Sequence, residues 1–474
     1  MNTGNIFFDS GRIRELRSLQ ELYDRDEFSF AVVYGRRRVG KSSLISEFIK
    51  RGDKKAIRFI AAEQTDIINR EAFSQAVFSI YPESSAFGIF PTWETAFDYI
   101  VKQSKGEKLI VEIDEYPYIA KAHPPISSEL QRCVDSVLQH TDIMLILCGS
   151  SMTFMENKVL GYQSPLYGRR TAQYRLEPLD YYDSAEFFGD ADKEDKLLGY
   201  AVTGGIPHYL KVISRAKNIK DGIEKEFFTK EGFMYEEPNN LLKEELRETA
   251  VYNAIISAIA GGATELNKIS SKIKEEDSKV AKYIRNLMTL RIVERDMPVF
   301  SKNERGGRYT IKDGMYRFWH RFVPSAASLI ENGCHNVYGK MAEPFISDFM
   351  EPVFETACRQ YLMRLNIKDE LPFLFNRIGR WWGGNPITKT ETEIDIIAAS
   401  DEKAILGECK WTNKKAGTDI YTGLRDKAAA VPQLKDRGVY FYLFSRSGFT
   451  ESLIREADGN DSLRLADLND MFNV

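Results

Sequence analysis

Three groups of residues in this sequence have the types and spacing that chemistry requires. The first is Gly35-Arg36-Arg37-Arg38-Val39-Gly40-Lys41-Ser42, with Ser43 following. A glycine, four residues and then Gly-Lys-Ser let backbone N–H groups curl around phosphate oxygens. The lysine can reach the outer phosphates of a nucleoside triphosphate such as ATP, and the serine hydroxyl can ligate Mg²⁺. The second is Asp114-Glu115, at the end of the strand-like run LIVEID. There Asp114 can complete the Mg²⁺ shell, and Glu115 can orient or deprotonate an attacking water. The third is EIDIIAASDEKAILGECKW, residues 393–411, which places Asp395, Glu408 and Lys410 among apolar residues.

That last stretch reads as a hairpin. If Asp401 and Glu402 form a two-residue turn, pairing sets Asp395 opposite Glu408, and the strand period of two puts Lys410 on the same face. Like charges facing each other across a strand pair destabilise it unless something positive lies between them. The pattern therefore asks for a metal ion held by Asp395 and Glu408. A half-solvated edge hairpin with a salt bridge from Lys410 satisfies the same pattern.

Around the first of these groups, FSFAVVYGRRRVGKSSLISEFIK at 28–50 predicts a buried strand, a glycine-bounded loop and an amphipathic helix starting near Lys41. The three loop arginines add charge there or stand solvated. From Leu109 to Ile113 four of five residues are apolar, as in a strand covered on both faces. A third buried strand, DIMLILCGSSM at 142–152, ends in Ser150 and Ser151. Either hydroxyl could sense the γ-phosphate or the water, or the pair could simply form a turn. In SPLYGRRTAQYRLEPL, 164–179, Arg169 or Arg170 could stabilise transition-state charge in its own subunit or a neighbour's, or be solvated.

Composition bounds the remaining choices. A chain of 474 residues, 43% hydrophobic and 28% charged, is globular and too long for one core, so three or four domains are expected. No apolar run is long enough to span a membrane and no secretory leader is visible, which predicts a cytoplasmic protein without membrane contact. Five scattered cysteines without CxxC spacing and five dispersed histidines argue against structural zinc and disulfides, with Cys148 and Cys409 read as buried fillers. A net charge of −4 gives no global footprint for nucleic acid, so such binding must use local patches.

Residues 246–311 read as three helices and then two strands around the charged tip SKNERGG, the order of a winged helix-turn-helix. Lys279, Lys282 and Arg285 on its third helix, with Arg305 and Arg308 in the wing, could meet DNA phosphates, although Glu275, Glu276 and Asp277 dilute that face and favour a structural role. Beyond residue 333 a helix carrying Glu355, the FNRIGRWWGG run, the hairpin, a helical stretch and the strand GVYFYLFS predict a small α/β domain.

The motifs FFDSGRIREL, GRRRVGKSS, IVEIDEYPYI, LCGSS and PLYGRR, followed by TGGIPHYL at 203–210, resemble the archaeal-type P-loop ATPases of the AAA+-related STAND group, in its MNS-like clade. That resemblance covers the first half of the chain and implies an α/β P-loop core, a helical lid and a winged helix. It also implies that Gly205 and Pro207 lie near the nucleotide and that Gly11 and Arg12 border the adenine. On sequence alone GGIP is a turn before a helix, with Pro207 in its first turn. The segments RIGRWWG, TEIDIIA and GECKW resemble the PD-(D/E)xK restriction-endonuclease-like domain attached to such ATPases. By that resemblance Asp395 and Glu408 bind Mg²⁺, or Mn²⁺, together with the Cys409 carbonyl. Lys410 orients the water or stabilises scissile-phosphate charge, and Glu355 is an additional helix carboxylate. Glu393-Ile394 replaces the proline of that pattern before Asp395.

The expected organisation is an ATPase core at 1–175, a lid at 176–245, a winged helix at 246–325 and a nuclease-like domain at 326–474. The leading expectation is an ATP-switched, Mg²⁺-dependent nuclease acting on nucleic acid, DNA before RNA. The alternatives are an ATP-dependent DNA-binding regulator and a scaffold that forms homo-oligomers with ATP, each with an inactive nuclease-like domain.

Overall fold

A computed structural model describes residues 11–82, 88–301, 306–385 and 389–474. The chain divides into two compact units, residues 1–178 with 206–208, and residues 179–205 with 209–474.

The first unit begins with helix α1 (Ile13–Tyr23) and then alternates strands and helices: β1 (Ser29–Gly35), α2 (Lys41–Lys50), β2 (Ala56–Ile60), α3 (Asp66–Ile80), α4 (Trp93–Ser104), β3 (Leu109–Asp114), α5 (Tyr116–Ala122), α6 (Ile126–Ser136), β4 (Ile143–Gly149) and β5 (Ala172–Leu176). The strands form one parallel sheet in the order β2-β3-β4-β1-β5. Every residue of β1, β3 and β4 is buried, as expected of parallel strands covered on both faces. The crossing helices bring an aromatic layer in which Phe73 stacks 5.2 Å from Trp93 and meets Phe59 edge-on at 5.5 Å. Glu112, in the middle of β3, is buried and ion-paired to Arg58 of β2. The order matters for chemistry, because the strand ending in Asp114 is separated from the phosphate-loop strand by β4, whose end carries Ser150. Three functional ends thus meet at the carboxyl edge of one sheet.

The second unit starts with five helices: α7 (Tyr181–Ala185), α8 (Lys193–Thr203), α9 (Pro207–Ile213), α10 (Ile219–Phe227) and α11 (Phe233–Glu245). Helix α8 ends at Gly204, φ +62°, and Gly205 follows at φ +72°. A Cβ on Gly205 would lie 2.0 Å from the Leu179 carbonyl oxygen, so only glycine fits this turn, and Pro207 opens α9 as the sequence suggests. Next come α12 (Thr249–Ala260), α13 (Leu266–Ile273), α14 (Asp277–Thr289) and the antiparallel hairpin β6 (Val293–Asp296) with β7 (Arg308–Ile311), in the predicted order. Arg305 falls outside the described residues. Helix α15 (Gly314–Glu331) runs unbroken through the boundary expected at 325, accommodating Pro324 in its interior.

After α16 (Val337–Met341) and the long α17 (Ile346–Lys368), a mixed sheet forms from β8 (Arg377–Gly384), β9 (Glu391–Ala399), β10 (Lys403–Lys410), β11 (Gly438–Ser445) and β12 (Leu463–Asp467), with α18 (Thr418–Ala428) and α19 (Glu451–Asp458) between strands. Strands β8 to β10 run antiparallel, and β10 to β12 run parallel. Successive residues point to opposite faces. Phe444 meets Tyr361 of α17, whereas Leu443 packs in the cluster of Tyr421 and Leu424 from α18 and Leu453 from α19. Helices therefore cover both faces. The β9–β10 turn is the two-residue Asp401-Glu402, closed by Ser400 N–H donating to the Lys403 carbonyl at 2.9 Å. The pairing Gly407 to Ile396 continues one step to Glu408 beside Asp395.

Two glycines make opposite predictions. Gly205→Ala should destabilise the chain by about 1–3 kcal/mol through its strained φ and carbonyl clash. Gly423→Ala, in open space inside α18, should stabilise by about 0.5–1 kcal/mol. Thermal unfolding of both variants decides, and a Gly205→Ala midpoint at or above wild type contradicts the turn geometry.

Candidate functional site

In the first unit the phosphate loop is set between the end of β1 and the start of α2. A Cβ on Gly35 would approach the Leu176 carbonyl to 2.6 Å, and Gly40 caps α2 at φ +96°. The loop is tight because both ends exclude side chains. Val39 is buried, and its carbonyl accepts from Arg12 at 3.3 Å, while the same guanidinium donates to the Glu177 carbonyl at 2.6 Å. Arg12, only 4% exposed, thereby braces the loop against the chain leaving β5. Arg37 reaches the Tyr118 hydroxyl at 3.2 Å, Arg36 and Arg38 are half-buried, and Ser43 is exposed on the first turn of α2.

Lys41 is buried, and its ammonium donates to the carbonyls of Gly35 at 3.0 Å and Arg36 at 3.2 Å. Burial lowers its pKa, against the opposing fields of Cys148, Glu115 and Asp114. An anion at the loop is what such a cation lacks, and phosphate fits it. Ser42 Oγ donates to Asp114 Oδ2 at 2.6 Å, so the two oxygens suited to a Mg²⁺ ion are already side by side. Asp114 Oδ1 accepts the Glu115 N–H at 2.8 Å. Glu115 itself sits at φ +52°, a left-handed conformation that a non-glycine residue adopts at a cost. Its carboxylate accepts from both the N–H and the hydroxyl of Ser150, at 3.2 and 2.8 Å. Ser150, not Ser151, is the hydroxyl that joins the group, and it does so through Glu115. Arg169 makes a bidentate pair with Asp135 of α6 at 2.8 and 2.7 Å, and Arg170 donates to Gln173.

In the second unit Asp395, Glu408 and Lys410 come together as the hairpin register requires. Asp395 Oδ2 accepts the Cys409 N–H at 2.9 Å, and Lys410 Nζ donates to Glu408 Oε1 at 2.8 Å. Lys427 of α18 adds two contacts of 2.8 Å, one to each Glu408 oxygen. Burial, then the charges of Glu408 and Glu355, push the Asp395 pKa up to about 7 against the Cys409 N–H and Lys410. For Lys410 burial acts downward, but Glu408 and Asp395 outweigh it and raise the pKa. Glu355 ion-pairs with Arg380 of β8. Among the described residues no group of three His, Cys, Asp or Glu side chains is gathered for a metal ion. Two carboxylates and the Cys409 carbonyl are the donor set available, and a divalent cation there would offset both the burial and the neighbouring charges that lift Asp395.

A family model described as an ATPase domain predominantly from Archaea matches residues 7–213, and one described as Archaea bacterial proteins of unknown function matches residues 319–420. The uncharacterized protein MJECL04 of Methanocaldococcus jannaschii is 33% identical over 419 residues, 86% of this chain and 90% of that protein. This chain belongs to the same family as that protein, and its residues 7–213 carry the ATPase domain. The Walker-type ATPase paby2304 of Pyrococcus abyssi, 20% identical, superposes with a TM-score of 0.52 over 65% of this chain and 95% of that one, which shows the P-loop fold. No described helix of this ATPase is long and apolar enough to cross a membrane, and all five cysteines are free.

Two contributors escaped the sequence reading. Lys427 continues the sheet-facing stripe Tyr421, Leu424 of α18 at helical spacing, a signal that was legible. Arg380 acts through a partner distant in sequence, and no local pattern marks it. Arg308, named as a wing residue that could meet DNA phosphates or serve a structural role, donates to Glu391 and Glu393 of β9, because two carboxylates and the Trp382 ring lie within its reach. Of the third-helix cations, Lys282 and Arg285 are exposed as expected, while Lys279 is tied to Glu275 at 2.9 Å.

Two substitutions test the nucleotide site. Lys41→Ala should weaken ATP binding at least about tenfold, measured by calorimetry, by removing the buried cation. Glu115→Gln should keep ATP binding and slow steady-state hydrolysis by about 10²–10⁴-fold. Normal turnover in either variant contradicts the assigned role.

Proposed function

We propose that this ATPase is an ATP-switched nuclease. ATP and Mg²⁺ occupy the first unit, with Ser42 and Asp114 on the metal, Lys41 on the outer phosphates and Glu115 aligning water while Ser150 positions it. Gly205 and Pro207 border the nucleotide in this reading. Arg169, on the surface beside Asp135, serves a neighbouring copy's nucleotide in an ATP-dependent oligomer. The residues 246–311 act as a winged helix.

The observation that carries the nuclease reading is the Asp395–Glu408 pair with Lys410, on adjacent strands of a helix-flanked mixed sheet. A structural hairpin gains nothing from burying two repelling carboxylates, since burying charge costs free energy unless it is used or compensated. Mg²⁺ or Mn²⁺ held by Asp395, Glu408 and the Cys409 carbonyl would polarise a scissile phosphate. Lys410 would hold the attacking water or offset the charge on the phosphate. Lys427 would keep Glu408 oriented, and Glu355 would act as a further carboxylate near the metal. The substrate is nucleic acid, DNA before RNA.

A second reading has its own observation in favour. Lys427 and Lys410 already compensate Glu408, so the cluster can persist as a buried ion-pair network in a domain that holds DNA without cutting it.

Cleavage of single- and double-stranded DNA and RNA, with Mg²⁺ or Mn²⁺ and with or without ATP, separates the two. The nuclease reading expects cutting by wild type that falls at least about 10²-fold in Asp395→Ala, Lys410→Ala. Absence of cutting under every condition supports the second reading, and cutting that survives in the double variant places the activity elsewhere.

A further inference from the structure

The hairpin of β6 and β7 is built onto the outer strands of the C-terminal sheet. Arg308, the first residue of β7, donates to Glu391 at 2.7 Å and to Glu393 at 3.3 Å, and its guanidinium lies 4.6 Å from the centre of the Trp382 ring. All three partners belong to β8 and β9. Just beyond β6 the Val299 N–H donates to the Arg380 carbonyl at 2.8 Å. Val299 and Phe300 pack against the core of the sheet, and Arg437 stands 5.0 Å from the Phe300 ring. Asp296, the last residue of β6, faces Arg359 and Arg380.

The contact leads directly toward the carboxylate cluster. Arg380 pairs with Glu355 and faces Asp296 and Glu393 as well. Glu355 is one of the charges acting on Asp395. Charges of alternating sign therefore run Arg308, Glu393, Arg380, Glu355, and Glu355 acts in turn as a like charge on Asp395. With the hairpin in place, three carboxylates share Arg380. If the hairpin leaves, Asp296 departs with it and Glu393 loses Arg308, so Arg380 must redistribute between Glu355 and Glu393.

We propose that the β6–β7 hairpin is a latch closed over the Asp395 cluster, and that nucleic-acid phosphates open it by drawing Arg308 away from Glu391, Glu393 and Trp382. The latch contacts are part-exposed, with Arg308 at 31%, Glu391 at 65% and Glu393 at 43% side-chain exposure. Pairs of that kind are worth little individually and yield to a competing polyanion. The exposed Lys282 and Arg285 lie on α14, the helix that leads into the hairpin, and give a phosphate backbone its first foothold. The latch rests on the nuclease reading only for what its opening accomplishes. Its existence and its release by nucleic acid do not depend on cutting.

Hydrogen–deuterium exchange on the full chain tests both parts, with ATP turnover of every variant as the control for folding. Arg308→Glu should speed exchange in residues 308–311 and 377–399 by about tenfold, the sum of two surface pairs and a cation–ring contact. Adding Glu391→Lys and Glu393→Lys to it should restore protection, and the milder Arg308→Gln should fall between. A double-stranded DNA oligonucleotide added to wild type should produce the same loss of protection and cause no further change in Arg308→Glu. Unchanged exchange in Arg308→Glu and Arg308→Gln overturns the latch. DNA that binds while those segments stay protected, or a chain that binds no nucleic acid, overturns its release. Since exchange is read rather than cleavage, a chain that cuts nothing can still support the latch.

Discussion

An ammonium taken out of water needs an anion, and Lys41 is the point from which the first unit is organised. Its acceptors are the carbonyls of Gly35 and Arg36, dipoles that orient the side chain without neutralising it. The nearest carboxylates are engaged elsewhere, Asp114 with Ser42 and Glu115 with Ser150. The loop is thus left with a positive interior, reinforced by the N-terminal end of α2. Only residues without a Cβ can close a backbone so tightly around that interior, which is why Gly35 and Gly40 sit where they do. Arg12 holds the shape from behind through Val39. The strain at Glu115, φ +52°, belongs to the same design, since it turns the carboxylate toward the end of β4, where Ser150 fixes it with two hydrogen bonds.

The carboxylate cluster of the second unit inverts this logic. There the surplus is negative, and it is met by direct ion pairs from Lys410 and Lys427 on Glu408, whereas Asp395 accepts the Cys409 N–H and feels Lys410 only through its field. One acid is compensated more fully than its neighbour. Asp395 is consequently the group whose protonation is displaced upward, and the group that gains most from an added cation. The first site places its chemistry at strand ends, whereas the second joins Asp395, from the middle of β9, to Glu408 and Lys410 at the end of β10.

What could be read in the sequence divides along physical lines. Gly35 to Ser42 was legible because the chemistry of a phosphate loop is local, spanning eight consecutive residues. Asp114 was legible because the largely apolar strand run LIVEID ends in an Asp-Glu pair downstream of a phosphate loop. The Asp395–Glu408 pairing followed from the strand period and a two-residue turn, both short-range. Lys427 was missed although its helical stripe encodes it, because it was read as one of several surface charges. The partners of Arg380 and Arg308 could not have been read at all. Glu355 and Glu393 lie 25 and 85 residues away from them, and nothing in composition or periodicity links such positions.

The arginines of the second unit show how one residue type serves permanence and reversibility. Arg364 of α17 grips Asp180 at 2.6 and 2.8 Å and Asp183 at 2.5 Å, and it also lies 4.4 Å from the Tyr182 ring. Those partners are mostly buried and form a fork-to-carboxylate geometry, so breaking the group would strand charge inside the fold, a cost of about 3–5 kcal/mol. Arg308 uses the same fork on Glu391 and Glu393 at the surface, where water can replace either partner at little cost. Helix α7, capped by Asp180, is therefore fastened to α17, whereas the hairpin is only leaned against β9. A single stretch of chain, from α7 through β9, contains one joint built to stay closed and one that a phosphate backbone can compete for. Which of the two an arginine becomes is decided by the solvent around its carboxylates, not by the arginine itself.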